Sequence, residues 1–142
     1  MAIQQISVFV ENQPGKLVEI VKPIADAGLN IRALSIADTK DFGILRMITS
    51  DTPKTIEVLS DDLIINTTKV VAAKLDDRVG ALLYVIDFLA KEDVNIEYVY
   101  AFTASESFGA YVVLRVDDVD KAEQVLIDNN VPVLNENDIK DI

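Results

Sequence analysis

The sequence predicts an α+β protein in which one strand–helix–strand–strand–helix–strand unit is built twice. Three observations carry that prediction: an internal repeat, apolar alternation that gives way to helical spacing, and a glycine corner between the two in each half. The stretch "VENQPGKL" fills residues 10–17 and "LDDRVGAL" fills residues 75–82. An offset of 65 residues places Val10 on Leu75, Gly15 on Gly80, Leu17 on Leu82, Ile20 on Val85, Ile24 on Leu89 and Ala25 on Ala90. Asn30-Ile31 then falls on Asn95-Ile96. After one inserted residue, Phe42-Gly43 falls on Phe108-Gly109 and Asp51 on Asp117. Self-similarity of this kind marks a duplicated structural unit. The copies are expected over 1–67 and 68–142.

The first strands come from alternation: Ile6, Val8 and Val10 in one copy, Val71, Ala73 and Leu75 in the other. Apolar residues two apart share one face of a strand. Leu17, Ile20, Val21 and Ile24 recur at helical spacing, as do Leu82, Val85, Ile86 and Leu89, so a helix follows each corner. Asn12 and Asp77 are expected to cap these helices. Pro23 falls inside the first one and predicts a kink or a shortened helix.

Second strands are expected over Asn30–Asp38 and Asn95–Thr103, and third strands over Gly43–Ser50 and Gly109–Val116. Second helices are expected over Pro53–Asp61 and Val119–Asn129, and closing β segments over Leu63–Thr67 and Val131–Leu134. The order is βαββαβ twice: the ferredoxin-like plan, with an antiparallel sheet in each copy and helices on one face. "LIINTTKVVAAKL" leaves no Gly- or Ser-rich linker between the copies, which predicts two rigidly held modules, as in one continuous sheet.

Some strands are apolar on both faces. Ile44, Leu45, Met47 and Ile48 in one copy, and Tyr111, Val112, Val113 and Leu114 in the other, predict a second apolar face packed against another subunit, hence a homo-oligomer, most simply a dimer. Tyr98, Tyr100 and Phe102 lie at strand spacing and are expected to pack against helices or a partner subunit; a lesser reading lets Tyr98 or Tyr100 line a ligand pocket.

Composition removes several function classes. The chain has 142 residues, no Cys and no His. Thiol nucleophiles, the Ser-His triad and most zinc sites are excluded. A net charge of −11 without a basic cluster argues against nucleic-acid binding. No apolar run reaches the ~18 residues of a membrane span, and "MAIQQISVFV" lacks the basic start and small-residue cleavage site of a secretory signal. The expectation is a cytoplasmic protein with no membrane partner. No phosphate-cradling glycine loop and no metal-ligand spacing is present, so no catalytic residues, metal or cofactor are expected.

The corner suits a free amino acid on physical grounds. A helix start offers unpaired N–H groups and partial positive charge to a carboxylate. Gly15 and Gly80 allow a sharp turn and close approach of a ligand. Pro14 stiffens the first turn and removes no needed donor. Asn12, Asp76, Asp77, Asn30 and Asn95 supply acceptors for an ammonium. Taken singly, each also fits a plain turn or strand start; repetition at matched positions favours binding.

A first strand, then "ENQPGKL", an apolar helix, "AGLNI" and the βαββαβ order resemble the ACT domain, a module that senses small molecules, usually amino acids. The resemblance covers nearly the whole chain as a tandem pair, like small stand-alone tandem-ACT proteins with no catalytic domain. Family members show an acid, a variable residue, Pro-Gly and Leu in the first loop. Pro14, Gly15 and Leu17 fit, with Asn12 where the acid is common; Asp77, Gly80 and Leu82 fit, with Val79 replacing the Pro. The resemblance implies a ligand between the loop of one domain and the second strand of its neighbour. Asn12, Gln13, Pro14, Gly15, Lys16 and Leu17 would then meet the Asn95-Ile96 end, and Asp76, Asp77, Arg78, Val79, Gly80 and Ala81 the Asn30-Ile31 end.

The leading functional expectation is a regulatory protein that binds a free amino acid and acts on a separate enzyme. One alternative is a structural, dimerising subunit with vestigial sites. Another is an acylphosphatase-like enzyme using Arg78 and Asn95, although Gln13 stands at the position matching that Arg.

Overall fold

The computed structural model describes residues 2–38, 41–59, 61–103 and 109–141. Phe108 of the repeat and Ser60 of the expected second helix lie outside them. The elements are β1 (Ile3–Glu11), α1 (Lys16–Asp26), β2 (Ile31–Asp38), β3 (Phe42–Thr49), α2 (Thr52–Val58), β4 (Ile65–Leu75), α3 (Ala81–Lys91), β5 (Ile96–Ala101), β6 (Ala110–Val116), α4 (Val119–Asp128) and α5 (Glu136–Lys140). The chain divides into two compact units, Gln4–Thr68 and Lys69 onward with the first residues of the chain, and the boundary falls inside β4.

In the first unit, β3 lies between β1 and β2, antiparallel to both. Ile6, Val8 and Val10 of β1 and Leu45 and Met47 of β3 pack against Ile20 and Ile24 of α1 and against Leu59. In the second unit, β6 lies antiparallel between β4 and β5. Val71 and Ala73, with Val112, Leu114 and Val116, pack against Val85 and Leu89 of α3 and Ala122 and Leu126 of α4. Each is a sheet with helices on one face, because alternation gives the strand one apolar side and 3.6-residue spacing gives the helix one apolar stripe.

Several expectations need correction. Asn12 and Asp77 do not cap the helices. Gly15 and Gly80 occupy the cap positions in the left-handed region, with no side-chain hydrogen bond to either helix start. Pro23 does not shorten α1, which has the same 11 residues as α3. Losing one backbone donor leaves the buried stripe of Ile20 and Ile24 intact, and that stripe holds the helix. The second helix of the first copy ends at Val58, because Leu59 turns extended and buries its side chain. The segment Leu63–Thr67 is not a separate strand: its residues from Ile65 on run straight into the second copy's first strand as β4.

The repeat shifts by one further residue than the sequence alignment gives. Ser50 Oγ accepts from the Asn30 amide, and Asp117 accepts from the Asn95 amide, both at 3.0 Å. Asp51 and Asp118 then cap α2 and α4, each accepting at 3.1 Å from the amide three residues on. Ser50 therefore matches Asp117, and Asp51 matches Asp118.

The residues expected to need a second subunit are already covered within the chain. Leu45, Met47, Ile48, Tyr111, Val112, Val113 and Leu114 are buried, and Ile44 is half-buried. Burial raises the Tyr111 pKa, and the nearby Asp138 carboxylate of α5 raises it further. A break in register between Ile96 and Tyr98 places Tyr98 opposite Arg115 and Tyr100 opposite Val113. That bulge carries the tyrosines to the face away from the helices, where they stack on each other with centroids 6.4 Å apart. Phe102 follows, edge-on to Tyr111 at 6.1 Å. Among the described residues, no helix is long and apolar enough to cross a membrane.

Candidate functional site

Each glycine corner is set by a short ladder of main-chain hydrogen bonds. In the first unit the Gln13 amide donates to the Glu11 carbonyl (2.9 Å), Lys16 to Gln13 (3.3 Å) and Glu19 to Gly15 (3.2 Å). In the second, Arg78 donates to Asp76 (2.9 Å), Ala81 to Arg78 (3.3 Å) and Tyr84 to Gly80 (3.0 Å). These positions match one for one. Gly15 and Gly80 take φ of 85° and 84°, a region costly for residues with a β-carbon. Among the described residues, and apart from the chain neighbours, a β-carbon at either glycine would meet no atom within 4 Å. The requirement is conformational, and the space above each glycine is open to an incoming group.

Because a left-handed glycine starts the helix, no side chain caps it. Among the described residues, the second and third amides, of Leu17 and Val18 or of Leu82 and Leu83, have no partner one turn back. They point from the helix start with the positive end of its dipole. Asn12, Gln13, Pro14 and Gly15 are exposed, as are Asp76, Asp77, Arg78, Val79 and Gly80. Lys16 lies 3.6 Å from Glu19 and Arg78 lies 3.7 Å from Asp76; such exposed pairs contribute little to stability.

A hollow of about 200 Å³ adjoins the first corner, lined by Asn12, Gln13 and Leu17 with Ile36 and Asp38 of β2 and Gly43. The second corner opens onto a shallower space of about 830 Å³ bordered by Asp76, Asp77, Arg78, Gly80 and Ala81, with Gly109 and Ala110. Sequence reasoning missed Ile36 and Asp38. The signal for them was an exposed apolar residue and an acid at the strand end that pairs with Leu45 and Gly43.

Asn30, Ile31, Asn95 and Ile96 do not join the corner of their own copy. Ile31 pairs near Thr49, whereas Asp38 pairs with Gly43 beside the first corner. At ~3.3 Å per residue, Asn30 stands on the order of 20 Å from that corner. Asn95 stands likewise at the Val116 end of β6, and the Asp77 corner at the Ala110 end. Both asparagines use their backbone to close a strand start: the Ser50 amide donates to the Asn30 carbonyl, and the Asp117 amide to the Asn95 carbonyl. Among the described residues, no three acidic side chains gather as a metal site.

A family model described as an ACT domain pair matches residues 1–142. Protein BT0572 from Bacteroides thetaiotaomicron has a solved structure that matches with a TM-score of 0.90 at 38% identity, covering 100% of this chain and 98% of that one. The regulatory subunit of aspartate kinase from Thermus thermophilus matches with a TM-score of 0.65 at 13% identity over 89% of each chain, a likeness of fold. The acetolactate synthase small subunit of Aquifex aeolicus (strain VF5) is 43% identical over 60 residues, 42% of this chain and 28% of that subunit's length. With the family model spanning both copies and a 38% identical relative matched over 98% of its length, the chain belongs to the ACT domain pair family.

Proposed function

We propose that the chain is a regulatory sensor without catalysis of its own. It binds a free amino acid at the glycine corners of two ACT modules, 1–67 and 68–142. It acts as a homodimer in the cytoplasm and passes the binding signal to a separate enzyme. The observation that carries this reading is the duplicated corner, with matched φ values and uncapped helix starts. Its free amides suit a carboxylate, while Asn12 in one loop and Asp76 and Asp77 in the other offer acceptors to the neighbouring ammonium. The relatives named as regulatory and small subunits support a partner enzyme in trans. Exposed Leu34 and Ile36 on β2 support a self-association surface on the first unit. A ligand shifts such an assembly only by binding one arrangement better than another.

The acylphosphatase-like alternative is disfavoured. It requires Arg78 and Asn95 to act together, yet the length of β6 separates them, on the order of 20 Å. Calorimetric titration with each of the twenty amino acids separates the sensor from a structural subunit with vestigial sites. The sensor gives saturable heat from at least one amino acid, weakened by Gly15→Val or Gly80→Val in a variant that keeps its far-ultraviolet circular dichroism. Silence from every amino acid leaves the structural reading.

A further inference from the structure

We propose a second small-molecule site in the first unit, where the end of β1, the first turn of α1 and the segment before β4 meet. A cleft of about 380 Å³ lies there, within the size range of pockets that hold small organic ligands. It shares only Val10 and Glu11 with the hollow beside the glycine corner. Its walls include Phe9, Phe42 and Ile64, which are 42%, 53% and 64% exposed. Large apolar side chains gathered in water around one concavity mark a binding surface. The rim carries three carboxylates, Glu11, Glu19 and Asp62, and one ammonium, Lys16.

The second unit is an internal control. The Phe9 amide donates to the Ile64 carbonyl at 3.1 Å, and the Lys74 amide donates to the Pro132 carbonyl at 2.9 Å. The backbone corner is the same, yet the hollow there is only about 50 Å³. Lys74 stands in place of Phe9, Tyr84 in place of Glu19 and Asn130 in place of Asp62. Tyr84 packs edge-on against Phe88 with centroids 4.7 Å apart, and the Arg78 guanidinium lies over the Tyr84 ring, 5.2 Å from its centroid. Among the described residues, Lys74 and Tyr84 border only that small hollow, while Phe9 and Ile64 border a larger, apolar cleft.

The lining selects the ligand. Phe9, Phe42 and Ile64 favour an aromatic or branched apolar body. The excess of carboxylates on the rim favours a cationic head and repels an anionic one. The occupant is a small primary amine with an apolar body.

The test titrates the full chain with phenethylamine and, separately, with 3-phenylpropionate, followed by amide chemical shifts. Phenethylamine should give saturable shifts centred on Phe9, Phe42 and Ile64, and the acid should bind at least about tenfold more weakly. Phe9→Lys, which installs the side chain the second unit carries there, should weaken the amine by about tenfold or more. Asp62→Asn, likewise borrowed from the second unit, should weaken it by a smaller factor. Lack of saturation, equal binding of the acid, or amine binding that survives Phe9→Lys in a folded variant overturns the site. Should Phe9→Lys fail to fold, unchanged amine affinity in Asp62→Asn overturns it equally.

Discussion

Gly15 and Gly80 start their helices with nearly identical backbone angles, and the ladders before them match bond for bond. The side chains around those ladders do not match. The first copy opens a cleft walled by Phe9 and Ile64, whereas the described residues of the second, Lys74 and Tyr84 among them, line a much smaller hollow. The same contrast recurs at the second helices. Ile56 of α2 is exposed, while the residue five past the cap in α4, Glu123, is buried and has its pKa raised by that burial. A frame held by main-chain hydrogen bonds and one left-handed glycine depends little on its neighbours' side chains. Those side chains could diverge while the frame stayed.

That comparison is easiest to break in the cores, where the copies should respond alike. Ile24 and Leu89 occupy matched positions and are both 0% exposed. Ile24→Ala and Leu89→Ala should each cost about 2–5 kcal/mol in urea denaturation. A cost below about 1 kcal/mol at one site would mean that the two cores are not packed equivalently.

The glycine corners sharpen it further. Gly15→Ala and Gly80→Ala should each cost about 1–2 kcal/mol, through backbone strain alone. Since neither new methyl would touch another atom, the two costs should agree within experimental error. Unequal costs, read as different denaturation midpoints, would show that one loop relaxes and the other does not.

Much of this frame was legible in the sequence, because alternation and helical spacing report directly on which face is buried. What escaped has local causes. A left-handed glycine replaces the side-chain cap that Asn12 and Asp77 advertise. The run through Thr67 and Lys69 carries no breaker, so β4 continues where a strand end was expected. The bulges after Ile31 and Ile96 shift the strand faces by one residue, and no residue type announces them. The five-residue α5 is too short for periodicity; its signal was Asn135 and Asp138, three apart, which form a capping box. At the site, the repeated Asn-Ile pair was legible, but its backbone role at the strand start was not. The open cleft was readable only by noticing that Phe9 aligns with a lysine.

The smallest expected effect lies at the other end of the first helices. Gly28 follows α1 at φ 72°, and Asp93 follows α3 at φ 58°. Both turns close the same way: Leu29 donates to Ile24 at 3.1 Å, and Val94 donates to Leu89 at 2.9 Å. Asp93 thus occupies a left-handed position that its counterpart fills with glycine, and it places a negative charge at the negative end of a helix. Asp93→Gly removes both penalties but loosens the unfolded chain, so the net gain should be about 0.5–1 kcal/mol. Asp93→Asn separates the terms: it keeps a side chain tolerant of this conformation and removes only the charge. If Asn gives most of the gain and salt erases it, the penalty is electrostatic. If only Gly gives it, the penalty is conformational, and the first copy holds the better-formed turn.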